Sequence, residues 1–112
     1  MSRKTGPSPT TVGLVLARSD DTCEVCGVAA GQQIHHRRPR GMGGTRREDS
    51  NAPSALLYLC APCHHGEVES KRDWAIVHGW LVGQAQDPAL VPVLHARHGW
   101  VRLTDDGGVT PC

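Results

Sequence analysis

The stretch 60-CAPCHH-65, read with 23-CEVC-26 upstream, decides what kind of fold this chain can have. Each C-x2-C pair is a knuckle whose short turn can aim both sulfurs at one ion. Four thiolates in a tetrahedral array form a closed structural zinc site, so Cys23, Cys26, Cys60 and Cys63 are the expected ligands. Cys112, at the far end of the sequence, is left as a free thiol. The composition makes such a staple necessary. With 112 residues, three Trp, one Tyr and no Phe, the chain fits one domain with a thin hydrophobic core. Folds in that position rely on a metal or a disulfide.

No apolar run reaches the ~18 residues of a membrane-spanning helix, and MSRKTGPSPT lacks the hydrophobic region of a signal peptide. The expected location is therefore the cytoplasm, where thiols stay reduced and paired cysteines bind metal in preference to forming disulfides. The net charge of +1 points to no partner by itself. Its distribution says more. Arg37, Arg38, Arg40, Arg46 and Arg47 fall within eleven residues that contain no acid, a basic strip suited to phosphates. Gly41, Gly43 and Gly44 beside them would let a ligand approach the backbone closely.

Composition divides the chain into three regions. Residues 1–10 read as a flexible tail, 11–84 as the zinc-stapled domain, and 85–112 as a C-terminal extension. Within the first part of the domain, 11-TVGLVLARS-19 suits a short helix or a strand equally. The extension holds two short apolar runs, 91–94 and 100–103, expected to pair as a hairpin that stands apart as a satellite or partner surface. His95 and His98 then belong to its turn and receive no site. Trp74, Trp80 and Leu81 are expected on the core side of a helix.

If the cysteines close the zinc site, His35, His36, His64 and His65 are left for other chemistry. Two histidines between the knuckles and two just past the second resemble the HNH endonuclease family. The resemblance spans about residues 20–82 and is carried by C-x2-C, "HHRRPRGMGG", "LC-x2-CHH" and the helix ending "GWLV". In detail the sequence is most similar to small HNH proteins of actinobacterial phages and prophages. The resemblance implies a small α+β fold of ββα-metal type, stapled by the four-cysteine zinc. It also implies metal-dependent DNA cleavage, by nicking or double-strand cutting, with Mg²⁺ or Mn²⁺ as the catalytic ion. A role beside the phage terminase large subunit in DNA packaging follows from the same likeness.

Phosphodiester hydrolysis needs an activated water and a cation to stabilise charge on the phosphate. By resemblance, His35 ligates the metal and His36 is the general base, a task that suits a neutral imidazole. The second metal ligand is His64 when counted from the cysteines and His65 when counted back from "GWLV". An α-helix would stack His65 over Glu69, a possible helper, and His64 over Val68, which cannot bind a metal, so the chemistry favours His65. The arginine strip would contact DNA phosphates, giving affinity without sequence information. One position departs from the family pattern: Ala55 stands where an asparagine usually orients the base. Asn51, four residues earlier, is the candidate to replace it. That departure keeps two alternatives open, a non-catalytic zinc-ribbon module for DNA or protein and a partner of the packaging motor with a decayed nuclease site.

Overall fold

The computed structural model describes residues 6–38 and 51–112. The first element is helix α1, Pro9–Ser19. Ser8 caps it by accepting from the Thr11 amide at 3.2 Å, and Pro9 occupies the first turn, where its missing N–H costs nothing. Asp20 ends it in the left-handed conformation, its amide returning to Ala17. The ambiguity of 11–19 thus resolves as helix, and the helix reaches back into the expected tail.

Strands β1 (Gln33–His36) and β2 (Leu56–Leu59) pair antiparallel, with His35 opposite Leu57 and His36 opposite Leu56. A π-helical segment, Cys63–Glu69, follows, and then the short helix α2, Arg72–Val77. The chain closes with a second antiparallel sheet of β3 (Val93–His95), β4 (Gly99–Leu103) and β5 (Val109–Pro111). The result is a small α+β fold. Among the described residues, no helix is long and apolar enough to cross a membrane.

One cluster forms the core, and the cysteines are part of it. Cys23, Cys60 and Cys63 pack with Leu57 and Leu59 of β2, Val68, and Trp80 and Leu81 after α2. Val93, Val101 and Leu103 join the same cluster. The C-terminal sheet is therefore a wall of the core and not a satellite. Trp74 corrects another expectation: it lies 51% exposed on the outer side of α2, while Trp80 and Leu81 are buried.

Three buried arginines, Arg18, Arg37 and Arg38, hold these layers together. Arg18 of α1 forms a fork onto both carboxylate oxygens of Glu24 at 2.8 Å and donates to the carbonyls of Pro53 and Leu56. Glu24 sits inside the first C-x2-C knuckle and also accepts from His95 Nε2 at 2.6 Å and from the Tyr58 amide at 2.9 Å. His95 Nδ1 accepts from the Arg97 and His98 amides, so Nε2 carries the ring proton. His95 is thus a structural tie between knuckle and hairpin.

Arg37 and Arg38 do not face phosphates. They are 0% and 1% exposed. The Arg37 guanidinium donates to four backbone carbonyls, those of Ser54, Gly79, Pro88 and Val91, at 2.7–2.9 Å; Arg38 donates to Gln86. Burial lowers Arg37 to about 10, with Arg18 adding repulsion and Glu24 opposing it, yet the group stays charged at neutral pH. A lysine cannot reproduce the planar fork. Arg37→Lys is expected to cost about 3 kcal/mol by leaving buried carbonyls unsatisfied, measured as a lower urea midpoint. A phosphate-contacting arginine would instead leave the midpoint unchanged and alter the salt dependence of DNA binding. Arg40, Arg46, Arg47 and the glycines 41, 43 and 44 lie outside the described residues.

Candidate functional site

The fold brings Cys23, Cys26, Cys60 and Cys63 together, with their sulfurs all within 4.8 Å of one another. The Cys26 and Cys60 sulfurs are 3.9 Å apart, close to the ~3.8 Å edge of a tetrahedron built on ~2.3 Å metal–sulfur bonds. The first knuckle has the local geometry for this. Gly27 adopts φ 70° and its amide returns to the Cys23 carbonyl at 2.9 Å, while the Cys26 amide points at the Cys23 sulfur. Any side chain at position 27 would also collide with Ala96 in the hairpin turn.

Four thiolates this close repel one another. Burial and the neighbouring sulfurs push Cys63 up, and burial pushes Cys60 up despite partial help from Cys63. Cys26 alone is drawn down to about 7: its own slight burial opposes the shift, but the backbone amides of Ala29 and Val28 outweigh it. A soft divalent cation removes that conflict, so the cluster fits an ion such as zinc.

A second constellation gathers around His35 and His36 of β1. His35 and His36 of β1, His64, Glu69 and Arg72 line one cleft of about 370 Å³, floored by Ile34, Val68 and Leu81. His35 is 6% exposed, and its ring lies 5.1 Å from that of His64, edge to face. Each of the three cleft imidazoles has one ring nitrogen tied to an acceptor. His35 Nε2–H donates to the Trp80 carbonyl at 2.8 Å, His36 Nε2–H to Asn51 Oδ1 at 2.8 Å, and His64 Nδ1–H to Gln33 Oε1 at 2.5 Å. Such bonds fix the tautomer. The lone pair is left on Nδ1 of His35 and His36, whereas His64 has an acceptor at each ring nitrogen, Gln33 Oε1 at Nδ1 and Glu69 Oε1 3.3 Å from Nε2.

The local helix type sets both His64 and His65 near Glu69. The segment is π-helical, with the Ser70 amide bonded to the His65 carbonyl at i+5. That wider turn sets Glu69 Oε1 3.3 Å from His64 Nε2 and 3.7 Å from His65 Nδ1. His64 faces the cleft with 19% of its side chain exposed, whereas His65 is 60% exposed and outside it. His64, His65 and Glu69 nevertheless group closely enough to share an ion. Val68 points into the core.

Asn51 reaches His36 although it is four residues away from the position where the family pattern expects its asparagine. Ala55 is fully buried and contributes its carbonyl to the Arg37 amide at 2.8 Å. Three contributors were not singled out from sequence. Gln33 could have been found, since it lies two residues before His35 and so on the same face of the strand. Arg72 and Glu24 could not, because their roles depend on where the π-helix ends and on what packs over the knuckle.

Burial lowers His35 to about 4, against the Trp80 carbonyl and with His64, His36 and Arg37 adding repulsion. His35 is thus neutral and ligand-competent at pH 7. Between its ordinary 6.5 and about 4, the unfolded chain takes up a proton that the folded chain refuses, so stability falls as pH drops through that window. Glu24 works in the same direction. Burial raises it, but bonds from His95 and Arg18 outweigh that and lower it, and its contribution disappears as the carboxylate protonates. Urea midpoints should fall between pH 7 and pH 4.5, with His35 accounting for about 2 kcal/mol; His35→Asn, at equal metal content, should flatten the curve.

Comparison of the chain with family models, with curated proteins and with solved structures gave no match.

Proposed function

We propose that this protein is a metal-dependent DNA endonuclease of the HNH, ββα-metal type. The observation that carries the reading is the cleft in which three hydrogen-bonded histidines, Glu69 and Arg72 converge. His35 through Nδ1 and His64 through Nε2 would hold a divalent ion, with Glu69 beside His64. Of these donors, His64 and Glu69 group with His65 within 4.8 Å of one another while His35 stands outside that group, and the imidazoles favour Mn²⁺ or another transition metal over Mg²⁺. When bound, that ion stabilises negative charge on the phosphate and the leaving oxygen.

The chain's own groups do the rest. His36 Nδ1 accepts a proton from water as the oxygen attacks phosphorus, the bond from phosphorus to the 3′ oxygen breaks, and that oxygen leaves to be protonated from solvent. Asn51 holds the His36 ring in the tautomer and orientation this transfer needs. It supplies the amide that Ala55 lacks, which favours a catalytic role over a purely binding one. Arg72 is placed to hold the phosphate. The likeness to small phage proteins extends the proposal to action in a host cytoplasm beside the terminase large subunit.

The test is conversion of supercoiled plasmid. The zinc-loaded protein is expected to nick or linearise it when Mn²⁺ or Mg²⁺ is added and to leave it intact without a second metal. No conversion with any divalent ion would eliminate the nuclease reading.

A further inference from the structure

Beyond the histidine cleft, across Arg72, lies a second depression of about 460 Å³ bounded by Glu67, Ser70, Lys71, Arg72, Asp73 and Trp74. Arg72 lines both and stands between them. The aromatic wall of this depression is pre-set. Trp80, anchored in the core through its indole N–H to the Leu94 carbonyl at 2.9 Å, carries the His78 ring stacked on it at 4.6 Å and 18°. The Trp74 ring lies 4.3 Å from that of His78, tilted by 46°, and His78 Nδ1–H donates to the Trp74 carbonyl at 2.8 Å. Yet Trp74 remains 51% exposed. A large ring held by neighbours and still open to solvent loses little freedom when a ligand covers it.

The charges along the path differ in a useful way. Arg72 marks the boundary with the cleft, where a phosphate belongs. Around Trp74, Lys71 is paired with Glu67 at 3.3 Å and Asp73 adds a further carboxylate, so that rim attracts no anion. A neutral π-face fits there and a second phosphate does not. We propose that Trp74 is a stacking subsite for an unpaired nucleobase flanking the scissile phosphate, with Arg72 on the phosphate between. This inference rests on the nuclease reading and names its substrate more closely: the strand is single or locally opened at the cut.

The test uses fluorescence anisotropy with a labelled single-stranded 12-mer and its fully abasic counterpart, with zinc-loaded protein and no added second metal. Base stacking is worth about 1–3 kcal/mol, so Trp74→Ala should weaken the base-bearing strand about 5- to 150-fold. It should leave the abasic strand nearly unchanged, and Trp74→Phe should restore most of the preference. Equal affinity of wild type and Trp74→Ala, beside normal plasmid cleavage, overturns the subsite and leaves the nuclease reading standing. Equal weakening on both strands gives Trp74 a structural role and overturns it as well. Unchanged strand affinity with altered sedimentation assigns the face to a protein contact, again against the proposal. Wild type that neither binds nor cleaves overturns both readings.

Discussion

Cys60→Ser is expected to abolish the cooperative urea transition at 25 °C, and stripping the metal with a strong thiol-competing chelator should do the same to wild type. Three of the four clustered cysteines are buried among Leu57, Leu59, Val68 and Val101, so the metal centre and the hydrophobic core are one structure. The aromatic content is small, with no Phe, and the core has little to fall back on. Structural zinc contributes about 10–16 kcal/mol of binding free energy that is also folding free energy, against a total stability of about 5–15 kcal/mol for a domain. Losing one thiolate also leaves three close sulfurs around an incomplete ligand set. Circular dichroism with a parallel metal assay reads both effects, and an unchanged midpoint in Cys60→Ser would mean that the cluster does not staple the fold.

The second large effect concerns chemistry and leaves folding alone. His36→Ala is expected to lower the plasmid cleavage rate by about 10²- to 10⁴-fold, the usual contribution of a positioned general base. The urea midpoint and bound zinc should stay at wild-type values, because His36 is only half-buried at the end of β1 and takes no part in the core cluster. Its neighbour makes the contrast. His35 is buried with its Nε2–H on the Trp80 carbonyl, so His35→Ala should lose stability together with activity. If His36→Ala cleaves as fast as wild type with the same metal dependence, the base is elsewhere.

What could be read in the sequence was local. Each C-x2-C pair brings two sulfurs together within one turn, and the adjacent histidines lie on one short strand, so both survive without knowledge of the tertiary fold. Asn51 was legible only as a replacement for the amide missing at Ala55. The failures are non-local. Arg37 looks like a phosphate ligand until Gly79, Pro88 and Val91, 42–54 residues further on, fold their carbonyls over it. The hairpin was visible from its turn, but its place in the core depends on a bond from His95 to Glu24 across 71 positions. That Glu69 also reaches His64 depends on the π-helical turn, which α-helical spacing does not anticipate.

In the proposed division of labour four cysteines hold one ion and the histidines are kept for another. X-ray absorption at the zinc edge, on protein carrying one equivalent of zinc, tests it most directly. The expected spectrum has four sulfur neighbours at about 2.3 Å and no nitrogen, and it should not change in His64→Ala. A shell containing imidazole nitrogen, or one altered by His64→Ala, would place a histidine in the staple and contradict the account.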